Sequence, residues 1–150
     1  MSLAEEGRHS GAVSQADPAT VWFMLAFPCP CCGHLTFGEP PGSFEICPVC
    51  FWEDDDVQLR WPELTGGANR PSLVEAQHTY VQLGAMESRF LGRVRLPNSD
   101  EPRETGWRLV DPSLDSFEPV LLRQDAPWPT DRTTLYWWRP SFWRRDSGSA

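Results

Sequence analysis

The pattern of hydrophobic and polar positions divides the 150-residue chain into three parts. Residues 1–20 are small and polar with mixed charge, and we expect a disordered tail because they offer too little apolar surface to offset the entropy of ordering. Residues 21–97 contain short apolar segments at regular intervals and form the predicted main domain. Residues 98–150 begin with a polar, linker-like stretch and continue as a Trp-rich extension.

Within the main domain, the pattern predicts a β-hairpin followed by a helix. Two apolar segments, residues 35–37 and 44–46, flank a turn rich in Pro and Gly, which is typical of a hairpin. The helix is predicted to begin after Ser72, because serine is a favoured N-cap and Glu75 completes a capping box three residues later. The predicted apolar face of this helix consists of Leu73, Ala76, Tyr80 and Leu83.

The extension carries three more apolar segments, each bounded by turn residues. We expect short strands at residues 107–110, 117–122 and 133–138. The last of these runs into an aromatic and basic segment, residues 136–145. Aromatic residues beside arginine can stack nucleic-acid bases, but they also form ordinary core and interface anchors. We expect this segment to pack onto the body of the protein or onto a protein partner.

The net charge of the chain argues against one class of function, nucleic-acid binding. The net charge is −8, and all thirteen basic residues are arginine. An acidic protein repels phosphate backbones, so nucleic-acid binding is disfavoured.

No apolar run reaches the ~18 residues that a transmembrane helix needs. We therefore expect a soluble, cytoplasmic protein with no membrane association.

The five cysteines supply the candidate chemistry, because all of them lie between Cys29 and Cys50. Four of them form two Cys-Pro-x-Cys knuckles, Cys29 with Cys32 and Cys47 with Cys50. The separation of fourteen residues between the pairs falls within the range of ~12–20 found in paired zinc knuckles. The sequence therefore predicts a metal site with Cys29, Cys32, Cys47 and Cys50 as its ligands.

Zinc is the expected metal, and iron is the alternative, because four thiolates also suit rubredoxin-type iron sites. The fifth cysteine, Cys31, occupies the variable position of the first knuckle, so its side chain should point away from the metal. We interpret Cys31 as a small residue packed near the hairpin; a reactive or redox thiol is the alternative. A closed four-cysteine site has no open coordination position, which argues against metal catalysis.

An acidic run, residues 53–56, directly follows the second knuckle. It is either a solvated loop or a surface for a basic partner or cation. The sharper hypothesis is that Asp54, Asp55, Asp56 and Arg70 bind a partner, with Arg70 pairing with the acidic run. No arrangement of side chains typical of a catalytic site can be identified from the sequence.

Several motifs together resemble the bacterial cysteine-rich CPCC family. The resemblance lies in residues 27–33 and 39–58 and continues through residues 66–70 and 72–76. It covers roughly residues 27–96, and the Trp-rich extension has no counterpart in it. The resemblance implies a small zinc-binding domain and implies no activity.

These observations predict a small α+β fold: a zinc-ribbon-like or rubredoxin-like hairpin, a packed helix and a short-stranded C-terminal extension. The predicted function is a non-enzymatic zinc-binding module that presents a protein-interaction surface to an unidentified partner. Two alternatives stay open, a rubredoxin-like iron or thiol redox protein and a nucleic-acid-binding zinc ribbon.

Overall fold

The computed structural model describes residues 26–119 and 126–145. The tail predicted for residues 1–20 lies outside these ranges, as does part of the strand predicted at residues 117–122. Within the described ranges the fold is small and mixed, with one two-stranded antiparallel sheet and a few short helices. Neither of the α-helices described below has the length and apolar character needed to cross a lipid bilayer.

The sheet consists of β1 (Phe27–Pro28) and β2 (Leu35–Phe37), paired antiparallel with Phe27 opposite Phe37. The second strand lies where the sequence predicts it, but the predicted partner, residues 44–46, is wrong. The first cysteine knuckle reverses the chain so tightly that the segment before it reaches β2 first. Ile46 instead forms an isolated antiparallel bridge with Glu53, across the second knuckle. Each knuckle is therefore a chain reversal of its own.

Two α-helices follow the knuckles. Helix α1 (Asp56–Arg60) was not predicted; Asp55 caps its N-terminus by accepting from two backbone N–H groups. Helix α2 (Leu73–Leu83) begins as predicted, with both hydrogen bonds of the Ser72–Glu75 capping box formed. It ends at Gly84 in the left-handed conformation. Its apolar face is shorter than predicted, because Leu83 in the last turn is 47% exposed.

The described residues of the C-terminal part are irregular, and the strands predicted at residues 107–110 and 133–138 are wrong. Residues 107–110 form no strand, because the N–H of Val110 donates to the side chain of Gln77. Residues 133–138 begin in a 3-10 helix (Arg132–Leu135), which Asp131 caps through Thr133. Another 3-10 helix, Ser88–Arg93, follows α2.

One hydrophobic core joins the cysteine region to the C-terminal part. The aromatic segment at residues 136–145 contributes four buried side chains, as expected of a segment that packs onto the body. The four are Tyr136, Trp137, Trp138 and Phe142. They share the core with Phe37, Trp52 and the cysteines, so the Trp-rich segment forms part of the environment of the cysteine cluster.

Candidate metal centre

The four predicted ligands meet in the buried core. The Sγ atoms of Cys29, Cys32, Cys47 and Cys50 all lie within 4.8 Å of one another, and none of these residues is exposed. The Sγ atoms of Cys29 and Cys50 are 3.6 Å apart, and those of Cys32 and Cys47 are 3.8 Å apart. A tetrahedral ion with metal–sulfur bonds of ~2.3 Å places its sulfurs about 3.8 Å apart. This donor set therefore fits a four-coordinate metal ion.

The two knuckles repeat one pattern of backbone hydrogen bonds. In the first, Cys29 N donates to His34 O at 2.9 Å and Gly33 N donates to Cys29 O at 2.6 Å. In the second, Cys47 N donates to Trp52 O at 2.9 Å. The backbone N–H of the residue four positions after Cys47 donates to Cys47 O at 2.8 Å. The same short sequence motif thus produces the same turn twice, and the two turns face each other across the sulfurs.

Gly33 and Phe51 occupy equivalent positions in the two turns, and both have left-handed backbones. The φ angle is +84° at Gly33 and +77° at Phe51. The sequence predicts this conformation for the glycine, whereas for a residue with a Cβ it costs about 1–2 kcal/mol. The second knuckle therefore stores strain that the first avoids.

Burial and mutual hydrogen bonds shift the pKa values of the four clustered thiols. Burial raises the pKa values of Cys29, Cys32 and Cys50 above the ordinary thiol value. Burial acts on Cys47 in the same direction, but hydrogen bonds from the other three thiols and from Thr36 outweigh it and lower its pKa. Four buried sulfurs at this spacing can all carry negative charge only if a cation compensates. A bound metal ion would supply that positive charge and would release the thiol protons.

Two donors support negative charge on Cys47. The hydroxyl of Thr36 donates to its Sγ at 3.2 Å, and the N–H of Val49 donates to the same sulfur at 3.4 Å. Hydrogen bonds of this kind hold a ligand in position and tune its affinity for metal. Thr36 carries no metal-ligand signal in the sequence, because its role follows only from the packing of β2 against the second knuckle.

Side chains from distant parts of the chain hold the first knuckle in place. The carbonyl of Pro30 accepts from Gln77 Nε2 at 3.0 Å and from Trp107 Nε1 at 3.2 Å. The carbonyl of Cys32 accepts from Arg103 Nε at 2.8 Å. Sequence analysis missed these three residues, and no local motif marks them, since their partners lie 47 to 77 positions away.

Comparison with known families agrees with the site. The family model described as Cysteine-rich CPCC matches residues 27–101, which is half of the chain. The chain belongs to the cysteine-rich CPCC family. The match includes all four clustered cysteines and all of α2, and it ends before Arg103 and Trp107. A search of curated proteins finds no matching relative.

Cys31, the middle cysteine of the CPCC motif, lies outside the four-sulfur cluster. Cys31 is fully buried, as expected of a small residue packed near the knuckle, and it does not belong to the group of four. The CPCC motif thus contributes two clustered thiols, Cys29 and Cys32, and one buried thiol beside them.

In this CPCC protein, the acidic run is largely internal. Asp54 and Asp55 are buried. The carboxylate of Asp54 accepts from the N–H and hydroxyl of Ser43, and burial raises its pKa to about 6. The carboxylate of Asp55 caps α1 and also accepts from Ala68 N. Both side chains therefore hold loops of the CPCC segment together.

Asp56 and Arg70 are more accessible, and they do not pair with each other. Asp56 forms an ion pair with Arg132 at 3.4 Å. Arg70 is exposed and takes part in none of the ion pairs between described residues, so the predicted pairing of Arg70 with the acidic run is wrong. Asn69 ties that loop instead, through two hydrogen bonds to the backbone of Glu53. A partner-binding role stays a prediction, and Asp56 and Arg70 are the residues accessible for it.

Proposed function

We propose that this chain is a structural zinc-binding module whose metal centre organises a protein-interaction surface. The observation that carries the proposal is the set of Sγ–Sγ distances, 3.6 Å and 3.8 Å, among four fully buried cysteines. They match the edges of a zinc–thiolate tetrahedron. Two facing knuckles on short hairpins also suit a zinc-ribbon-like arrangement.

A structural role follows from the closed donor set. Four protein sulfurs leave no open coordination position for water or substrate, so the site acts as a scaffold. Zinc bound by four thiolates supplies folding free energy, with apparent binding free energies of ~10–16 kcal/mol in small zinc domains. That contribution suits a chain whose sheet has only two short strands.

An interaction role is supported by apolar side chains on the surface of the second knuckle. Phe44 is 54% exposed and Ile46 is 48% exposed, close in sequence to the buried Cys47. Large apolar side chains beside a rigid site are typical of protein-interaction surfaces. The metal would fix the backbone that presents them.

Metal analysis of the purified full chain tests the proposal. We expect roughly one zinc per chain and no visible absorption, because zinc has a filled d shell. We expect Cys29→Ser to lose the stoichiometric metal. Cys31→Ser, the matched control in the same turn, should retain it. A red protein with stoichiometric iron, or wild-type protein that binds neither metal, would overturn the zinc assignment.

A further inference from the structure

Phe51, the residue after the last cysteine, belongs to a group of two stacked phenylalanine rings with an arginine over each ring. The rings of Phe51 and Phe90 are 4.2 Å apart at their centroids, with an interplanar angle of 29°. The guanidinium carbon of Arg93 lies 5.2 Å from the centre of the Phe51 ring, and that of Arg89 lies 4.3 Å from the centre of the Phe90 ring. These four side chains therefore link the second knuckle to the 3-10 helix Ser88–Arg93.

The position of this group depends on the strained backbone at Phe51. The equivalent residue of the first knuckle is glycine, which adopts the left-handed conformation freely. The second knuckle instead has an aromatic residue there, at φ +77°. Strain of this kind persists where the surrounding structure enforces it, and it is concentrated at functional sites. Here the strained residue positions a half-buried ring beside cationic groups.

Arginines cluster on the surface next to this group, on a chain whose net charge is −8. Arg70 and Arg89 line one depression together with Ile46 and Phe90, and Glu53 is the acidic residue that lines it. Neither Arg70 nor Arg93 forms an ion pair with any described residue, whereas Arg89 pairs with Glu87 at 3.0 Å. A guanidinium over a ring can keep its in-plane N–H groups available for a carboxylate.

We propose that Arg70, Arg89 and Arg93, together with Ile46, form a docking surface for an acidic peptide segment of a partner protein. We call these four residues the arginine surface. Carboxylates of the segment pair with the guanidinium groups, and an apolar side chain packs on Ile46, which is 48% exposed. The inference rests on the proposed function, because it names the kind of partner that the interaction module binds.

The packing of the aromatic rings favours an acidic peptide over a nucleic acid. Bases bind by stacking on free aromatic faces, but Phe51 is stacked with Phe90 and has the guanidinium of Arg93 over its ring. Phe90 likewise has a ring and a guanidinium over it. The arginine surface therefore offers guanidinium groups to a ligand and keeps its aromatic rings for internal stacking.

The test uses the zinc-loaded full chain and two pools of short fluorescein-labelled peptides. One pool combines Asp and Glu at random positions with a single Phe, Leu or Trp; the other pool has Asn and Gln in place of the acids. Fluorescence anisotropy gives the affinity. We expect binding to the acidic pool alone, weakened about tenfold by Arg70→Gln or by Arg93→Gln, since each removes charge-assisted hydrogen bonds.

Arg108→Gln is the matched control, because Arg108 is an exposed arginine that pairs with Asp115 and does not line this depression. It should leave peptide affinity unchanged. Equal weakening by Arg108→Gln, or no preference for the acidic pool, overturns the inference. Tighter binding of an oligo-dT probe that is lost in the same variants overturns it in favour of nucleic acid. Zinc content measured on the same samples separates these failures from failure of the metal assignment.

Discussion

Trp107 lies directly over Gly33, so that a Cβ atom built on Gly33 would come within 2.5 Å of the indole Cδ2. The same indole donates its N–H to Pro30 O within the knuckle. Glycine is therefore required at position 33 for two reasons. Its φ angle is +84°, and Trp107 approaches too closely for a Cβ atom. This contact fastens a distant segment of the chain to the backbone that carries Cys29 and Cys32.

The Gly33→Ala substitution should destabilise the fold more than Gly84→Ala. Gly84 has a similar φ, +92°, but its Cβ would meet nothing within 4 Å, so alanine there costs only the left-handed conformation, about 1–2 kcal/mol. At Gly33 the collision with Trp107 adds a further ~1–3 kcal/mol. Urea unfolding of the zinc-loaded proteins measures both. Equal losses of unfolding free energy in the two variants would show that Trp107 moves aside at no cost in free energy.

The features that sequence alone predicts here are the local ones. The spacing of the cysteines identifies the four clustered thiols, and the Ser72–Glu75 capping box gives the start of α2, because both depend on residues close together in the chain. The pairing of the strands could not be predicted from local sequence, because residues 27–28 and residues 44–46 are both possible partners of β2. The tight turn of the first knuckle brings residues 27–28 next to β2. The contacts of Trp107 lie 77 positions apart, and no periodicity marks them.

Arg60, the last residue of α1, also makes contacts with distant residues that the sequence does not predict. Its side chain is fully buried, and its guanidinium carbon lies 4.6–4.8 Å from the centres of three indole rings, those of Trp61, Trp128 and Trp143. Its Nε donates to Glu118 at 2.6 Å. The cation thus joins the CPCC segment to both described parts of the chain beyond the family match, residues 102–119 and 126–145.

Replacing Arg60 with methionine should cost about 3–5 kcal/mol of unfolding free energy, because it removes the cation from a buried ion pair and from three ring faces. The control, Arg108→Gln, breaks an ion pair with Asp115 in which the arginine is 42% exposed, and it should cost less, about 1 kcal/mol. Urea unfolding followed by tryptophan fluorescence compares the two. A loss at Arg60 no larger than that at Arg108 would contradict a bridging role.

Asp54 should make stability depend on pH near neutrality. Burial raises its folded-state pKa from 3.8 to about 6, so the folded protein retains this proton to higher pH than the unfolded chain does. The resulting stabilisation is fully present below pH ~4 and is lost as pH rises through ~6. The difference in unfolding free energy between wild type and Asp54→Asn should therefore fall by about 1 kcal/mol between about pH 5 and about pH 7.5.

The control for this pH dependence is Asp111→Asn. Hydrogen bonds from Ser113 lower the pKa of Asp111, so that this carboxylate stays ionised across the whole interval. The corresponding free-energy difference should stay constant. A constant difference for Asp54→Asn as well would mean that the hydrogen bonds from Ser43 offset the desolvation of its carboxylate.

Thr36→Val should weaken metal binding while preserving the fold. The two side chains have nearly the same shape, but valine cannot donate to Cys47 Sγ, which accepts from the Thr36 hydroxyl at 3.2 Å. Loss of a hydrogen bond to a metal ligand typically lowers affinity by ~10–100-fold. Competition with a chromophoric chelator measures the change. Thr79→Val is the control, because its hydroxyl donates to a backbone carbonyl within α2. If both variants bind zinc as wild type does, Thr36 contributes packing alone, and the charge on Cys47 depends on its other contacts.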